Sequence, residues 1–137
     1  MSTAPHSIHH VNIPIADAAR TMEWYASVFG MREIPRPVRQ GGAPGVEELL
    51  LMTRGNFDIH CTIHENPPDL KPHHYCVEVE DWDAFMAHLD ELGIEQFGYF
   101  ERPQNNSKAT YIYDPDRNLV ELSWHGNWRH ESPVQPD

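Results

Sequence analysis

From His10 the chain alternates. Val11, Ile13 and Ile15 are apolar, and His10, Asn12 and Pro14 stand between them. The same happens from His74, where Tyr75, Val77 and Val79 alternate with His74, Cys76 and Glu78. A period of two marks a half-buried strand. Seven residues after each histidine comes an aspartate, Asp17 and Asp81, followed by helical spacing that stops at Gly30 and Gly93. Aspartate caps a helix because its carboxylate accepts a backbone N–H of the first turn. Glycine ends one because it enters the left-handed region without a Cβ clash. Met22, Tyr25 and Phe29 are expected to line one side of the first helix, and Phe85, Leu89 and Leu92 one side of the second. The chain thus reads as two copies of one unit.

Each copy continues as strands. In the first they are expected at Met31–Ile34, Glu48–Thr53 and Phe57–His64, with a Pro/Gly-rich loop (PRPVRQGGAPGVE) after the first of them. In the second they are expected at Glu95–Phe100, Thr110–Tyr113 and Leu119–Trp124, with ERPQNNSKA (101–109) as a loop. The fold class is α+β: two tandem βαβββ modules forming a curled mixed sheet with a central metal-binding cavity. Residues 1–137 form a single domain, with module one at about 8–65, a linker at 66–72, module two at about 73–125 and a polar tail at 126–137.

Strand parity sorts the polar residues. If the apolar series face the helices, His10, Asn12 and Pro14 share the opposite face, as do His74, Cys76 and Glu78. On the last strand of the first copy, Ile59, Cys61 and Ile63 point inward, leaving His60, Thr62 and His64. On the last strand of the second, Val120, Leu122 and Trp124 point inward, leaving Glu121, Ser123 and His125. His9 and His73 fall on the helix side or at a frayed strand start. His10 to His60 is 50 residues and His74 to Glu121 is 47, so pseudo-twofold pairing makes His60 the counterpart of Glu121. Two histidines and a carboxylate with open positions form the facial set of non-haem Fe(II) enzymes, and the same donors accept Zn, Mn, Co or Ni.

Composition narrows the class. With 39% hydrophobic and 23% charged residues over 137 positions, the chain can build one globular core. A formal charge of −11 argues against nucleic acid or an anionic membrane as partner. No apolar run reaches the length of a membrane span, and MSTAPHSIHH lacks the features of a signal peptide. Two cysteines, Cys61 and Cys76, fit a reducing compartment, and a cytoplasmic location is expected. Ten histidines matter only through where they sit.

The segments HVNIPIAD with WYASVFG, HYCVEVED with LDELG, and YIYDPDRNLVEL resemble the vicinal oxygen chelate superfamily, which includes glyoxalase I, extradiol dioxygenases and the bleomycin resistance protein. The last segment is the most specific. Asp114-Pro115-Asp116-Arg117-Asn118 matches the family's Asp-Pro-Asp-Gly-Asn turn except at Arg117, and Glu121 stands in the ligand place. The resemblance covers residues 8 to about 125. It implies a divalent metal (Fe, Zn, Mn, Ni or Co) on His10, His74 and Glu121, with His60 at a fourth position. His60 then has three readings: a further ligand, an acid–base group, or a neighbour of an open coordination site. The implied function is a metal-dependent enzyme that binds vicinal oxygens of a small substrate and stabilises an enolate-like intermediate. Lyase or isomerase chemistry and extradiol-type Fe(II) ring cleavage are its two branches. A metal-free ligand-sequestering protein of the bleomycin-resistance type is the alternative. A homodimer is expected by analogy. Fosfomycin modification is disfavoured because 101–109 has no glycine.

Overall fold

The computed structural model describes residues 3–35 and 49–127. Most of the Pro/Gly-rich loop and nearly all of the tail lie outside these residues. The chain falls into two units, 1–69 with 115–118, and 70–114 with 119–137.

In the first unit the elements are β1 (His10–Ile15), α1 (Ala18–Phe29), β2 (Arg32–Glu33), β3 (Leu49–Thr53) and β4 (Asp58–Ile63). They form a four-stranded mixed sheet in the order β1-β4-β3-β2, with β1 parallel to β4. The Asp17 carboxylate caps α1 by accepting from the Arg20 N–H at 3.0 Å, and Gly30 ends it at φ 68°. Ile13, Ile15, Ile59 and Cys61 are buried on the expected apolar parity. The helix stripe is rotated from expectation. Thr21, Tyr25 and Val28 are buried, whereas Met22 and Phe29 are half-buried. A polar residue, Thr21, takes a core position because its hydroxyl reaches the Asp116 carboxylate at 3.5 Å, a partner that periodicity cannot foresee.

The second unit holds β5 (Tyr75–Glu78), α2 (Trp82–Glu91), β6 (Phe97–Arg102), β7 (Ser107–Tyr113) and β8 (Leu119–His125). Its sheet has the matching order β5-β8-β7-β6, with β5 parallel to β8. Asp81 caps α2 through the Ala84 N–H at 3.0 Å, and Gly93 follows its end at φ 70°. Trp82 and Leu89 are buried, but Leu92 is 42% exposed because the helix has ended by that position. Segment 101–109 is not the expected loop. Glu101 and Arg102 complete β6, Pro103–Asn105 make one 3-10 turn, and Ser107 begins β7. The glycine-free loop therefore no longer bears on fosfomycin chemistry.

The turn 115–118 joins β7 to β8 yet belongs to the first unit. Asp116 accepts from the Ala16 N–H at 3.1 Å and from Arg20 Nη2 at 2.7 Å. Asn118 Nδ2 donates to the Pro14 carbonyl at 2.9 Å. Arg117 keeps the turn by adopting φ 63°, where a side chain costs roughly 1–2 kcal/mol and glycine nothing. Glycine gives back about 0.5–1 kcal/mol in unfolded-chain entropy. Arg117→Gly should therefore raise stability by about 0.5–1 kcal/mol in urea unfolding, and an unchanged or lower midpoint would contradict this account of the turn.

Candidate metal centre and adjoining cavity

In the second unit, β8 presents Glu121 and β5 leads out of His74. Glu121 pairs across the ladder with Cys76, two residues beyond His74. In the first unit His60 pairs with Asn12, two residues beyond His10. The expected equivalence of His60 and Glu121 is thus a matter of strand register, repeated in each sheet.

Glu121 is 8% exposed, and its carboxylate is well partnered. Oε1 lies 3.1 Å from His74 Nε2 and accepts from the Tyr111 hydroxyl at 3.1 Å. Oε2 faces Arg102 Nη2 at 3.5 Å. His74 Nδ1 lies 2.8 Å from the Pro72 carbonyl, which can only accept, so Nδ1 carries a proton. That leaves Nε2 facing a carboxylate oxygen. Two lone pairs cannot be held there unaided, so the pair needs a shared proton or a cation. Backbone-anchored Nδ1 and a directed Nε2 form the usual arrangement of a metal-ligating histidine. The nitrogen and oxygen donors therefore fit a divalent transition ion. Tyr111 and Arg102, which orient the carboxylate, escaped the sequence reading. In the sequence Arg102 reads as part of a loop, and Tyr111 carries no signal beyond its strand.

His10 stands in the first unit, stacked on His60 with ring centroids 3.8 Å apart. His9 precedes β1, so strand parity does not fix its side chain, and its Nδ1 comes within 3.1 Å of His10 Nδ1. Burial, then the neighbouring His10, lowers the pKa of His60 below 6.5, with Asp58 opposing. His60 therefore favours its neutral form, able to accept a proton or hold a cation.

Beside Glu121, a cavity of about 340 Å³ is lined by Cys76, Glu78, Arg102, Asn105, Glu121, Ser123 and His125. This lies within the usual size of small-molecule sites. His125, which the sequence leaves as one of two strand-end histidines, has a side chain only 10% exposed. Its Nδ1 lies 2.9 Å from both Glu78 oxygens, and the Ser123 hydroxyl donates to Glu78 at 2.8 Å. His64 is exposed. Cys76 is a solvent-exposed residue, but desolvation by the protein atoms crowded around its thiol, reinforced by Glu121 and Glu78, pushes it up to about 11 against partial relief from Ser123. Burial and Glu121 raise the Tyr111 phenol.

These features define a tandem βαβββ protein with a histidine- and carboxylate-bearing face in each unit. The chain belongs to the glyoxalase/bleomycin resistance protein/dioxygenase superfamily, whose family model matches residues 7–122. The Bacillus subtilis (strain 168) protein YwkD, itself uncharacterized, is 26% identical over 123 residues, covering 85% of this chain and 94% of the relative. A Bacillus anthracis structure named only as a glyoxalase family protein shares 25% identity at a TM-score of 0.73, covering 91% of this chain and 99% of that one. Lactoylglutathione lyase from Agrobacterium tumefaciens (21% identity, TM-score 0.65, 88% and 94% covered) has the same fold. So does the fosfomycin resistance protein FosX from Listeria monocytogenes (17%, 0.68, 88% and 94%).

Two outcomes test this geometry. Gly98 lies in β6 at φ 70°, and a Cβ there would come 2.9 Å from Tyr111 Cδ2. Gly98→Ala should cost at least about 1 kcal/mol and displace the Tyr111 ring, readable by urea unfolding and by the ring's NMR shifts. A neutral substitution would show that the contact is dispensable. The raised Cys76 pKa means that, relative to a thiol at 9.0, about a hundredfold less thiolate is present at pH 8. Because the folded state then holds the proton more tightly, this group's stability contribution falls as pH rises from 9.0 towards about 11. Iodoacetamide labelling of chelator-treated native protein, read by peptide mass spectrometry, should be correspondingly slow at Cys76. Labelling at the rate of an unfolded peptide would refute the assignment.

Proposed function

We propose that the protein is a divalent-metal-dependent enzyme of the glyoxalase/dioxygenase type, acting on vicinal oxygens of a small substrate through an enolate-like intermediate. In this reading His10, His74 and Glu121 are the metal ligands, and His60 is an acid–base group. The observation that carries it is the His74 Nε2–Glu121 Oε1 pair at 3.1 Å, with the other nitrogen of His74 tied to Pro72. When bound, the metal supplies a Lewis acid that polarises a substrate oxygen.

The chain's own residues do the rest. Tyr111 and Arg102 hold Glu121 in one orientation, so its lone pairs need not reorganise when a ligand arrives. The adjoining cavity is large enough to admit a small molecule. Arg102 and Asn105 offer donors in that cavity to an oxygenated substrate. His125, held through Nδ1 by Glu78, keeps its other ring nitrogen for giving or taking a proton. Assembly as a homodimer and a cytoplasmic location belong to the same reading.

Metal analysis tests it. The chelator-treated, tag-free protein should take up about one equivalent of Zn(II), Mn(II), Fe(II), Co(II) or Ni(II). His74→Ala should weaken binding by more than about tenfold, the lower bound for losing even an outer-shell partner. No stoichiometric uptake by the wild type, or unaltered affinity in His74→Ala, would sink the proposal. Loss of the methylglyoxal–glutathione hemithioacetal, set against oxygen uptake with catechols, then separates the lyase and dioxygenase branches.

A further inference from the structure

The first unit carries a histidine cluster that the ligand set above only touches. The donor atoms of His9, His10 and His60 all lie within 4.8 Å of one another. His9 and His10 bring Nδ1 atoms to 3.1 Å, and the His10 and His60 rings stack at 3.8 Å. Asp58 Oδ2 lies 3.6 Å from His9 Nε2 and 3.7 Å from His60 Nε2.

The scaffold beneath these groups is a parallel ladder. Asp58 is directly cross-strand from His10, and His60 follows two residues along β4 on the same face. The Asp58 N–H donates to the His9 carbonyl at 3.1 Å, fixing the backbone where the pair of histidines leaves the strand. The polar face continues with the Thr62 hydroxyl donating to Asn12 Oδ1 at 3.0 Å. Three imidazoles and a carboxylate are therefore gathered by main-chain pairing. Only one proton fits between the two facing Nδ1 atoms, so one nitrogen is an acceptor and a cation can replace that proton. His9 is exposed, with 73% of its side chain in solvent, so turning its ring towards a common ion meets no packing resistance.

We propose that His9, His10 and His60, backed by Asp58, form a transition-metal site complete within the first unit and independent of His74 and Glu121. Imidazole donors select a borderline ion such as Zn(II), Co(II), Ni(II) or Cu(II) over Mg(II) or Ca(II). His10 is common to this set and to the proposed catalytic set, so the two are alternative seats for an ion. Asp58, at ion-pair distance from both His9 and His60, would complement the charge of an ion held there.

The test uses tag-free, chelator-treated full-length protein titrated with Zn(II) by calorimetry and with Co(II) by absorbance. The double variant His74→Ala, Glu121→Gln should still bind one equivalent per chain. Adding His9→Ala to that background should weaken binding by tenfold or more, with circular dichroism confirming the fold. Loss of all stoichiometric binding in the double variant, or no change on adding His9→Ala, overturns the inference. The outcomes also separate the two proposals. A wild type that binds while the double variant does not leaves the catalytic set standing alone. A double variant that matches the wild type in affinity and Co(II) spectrum leaves only the first-unit site.

Discussion

The parallel pairing of the first and last strands within each unit is the constraint on which every other feature depends. In one unit it sets Asn12 opposite His60, and in the other Cys76 opposite Glu121. A parallel pair cannot be closed by a tight turn, so each unit needs a long connection between its partners, here a helix and two further strands. Side chains alternate along strands, so a slip of one residue would exchange the buried set for the polar one. Ile59 and Cys61 would then surface while His60 and Thr62 turned inward. The hydrophobic core thus holds the register, and the register holds the donors.

Much of this was legible because it is local. The caps at Asp17 and Asp81, the glycine stops and the alternating faces follow from short-range rules, and the structure has all of them. The departures arise where distant groups meet. Thr21 is buried because a turn nearly a hundred residues later brings Asp116 to it. Leu92 is exposed because the helix stops before its stripe does. Segment 101–109 looked like a loop for its Pro and Asn content, yet most of it is strand, and that placement is what brings Arg102 to Glu121.

The same distinction applies to the candidate site. His10, His74, Glu121 and His60 were visible as repeated positions. Tyr111, Arg102 and the Glu78–His125 pair were not, since nothing in their spacing marks them as partners. His9 reads as lying on the helix side or at a frayed strand start, and it stands one residue outside β1, where parity does not bind it. Arg117 shows the reverse case. Its side chain is unusual for the turn, but the turn's backbone is fixed by Asp116 and Asn118, so a left-handed arginine is tolerated rather than a new turn being made.

Glu121 illustrates why a buried carboxylate does not by itself prove a metal. Arg102, Tyr111 and His74 already offset its desolvation, so an ion is not required to explain its burial. What distinguishes it is the direction of those partners. Tyr111 donates to Oε1 and Arg102 faces Oε2, yet the third partner, His74, has committed its Nδ1 proton to a backbone carbonyl. Each oxygen has two lone pairs, and the gap between Oε1 and Nε2 lacks a donor when the imidazole is neutral. A second imidazole proton would fill that gap in a purely structural ion pair. A cation would fill it equally, because the Pro72 anchor keeps Nε2 aimed at Oε1 either way.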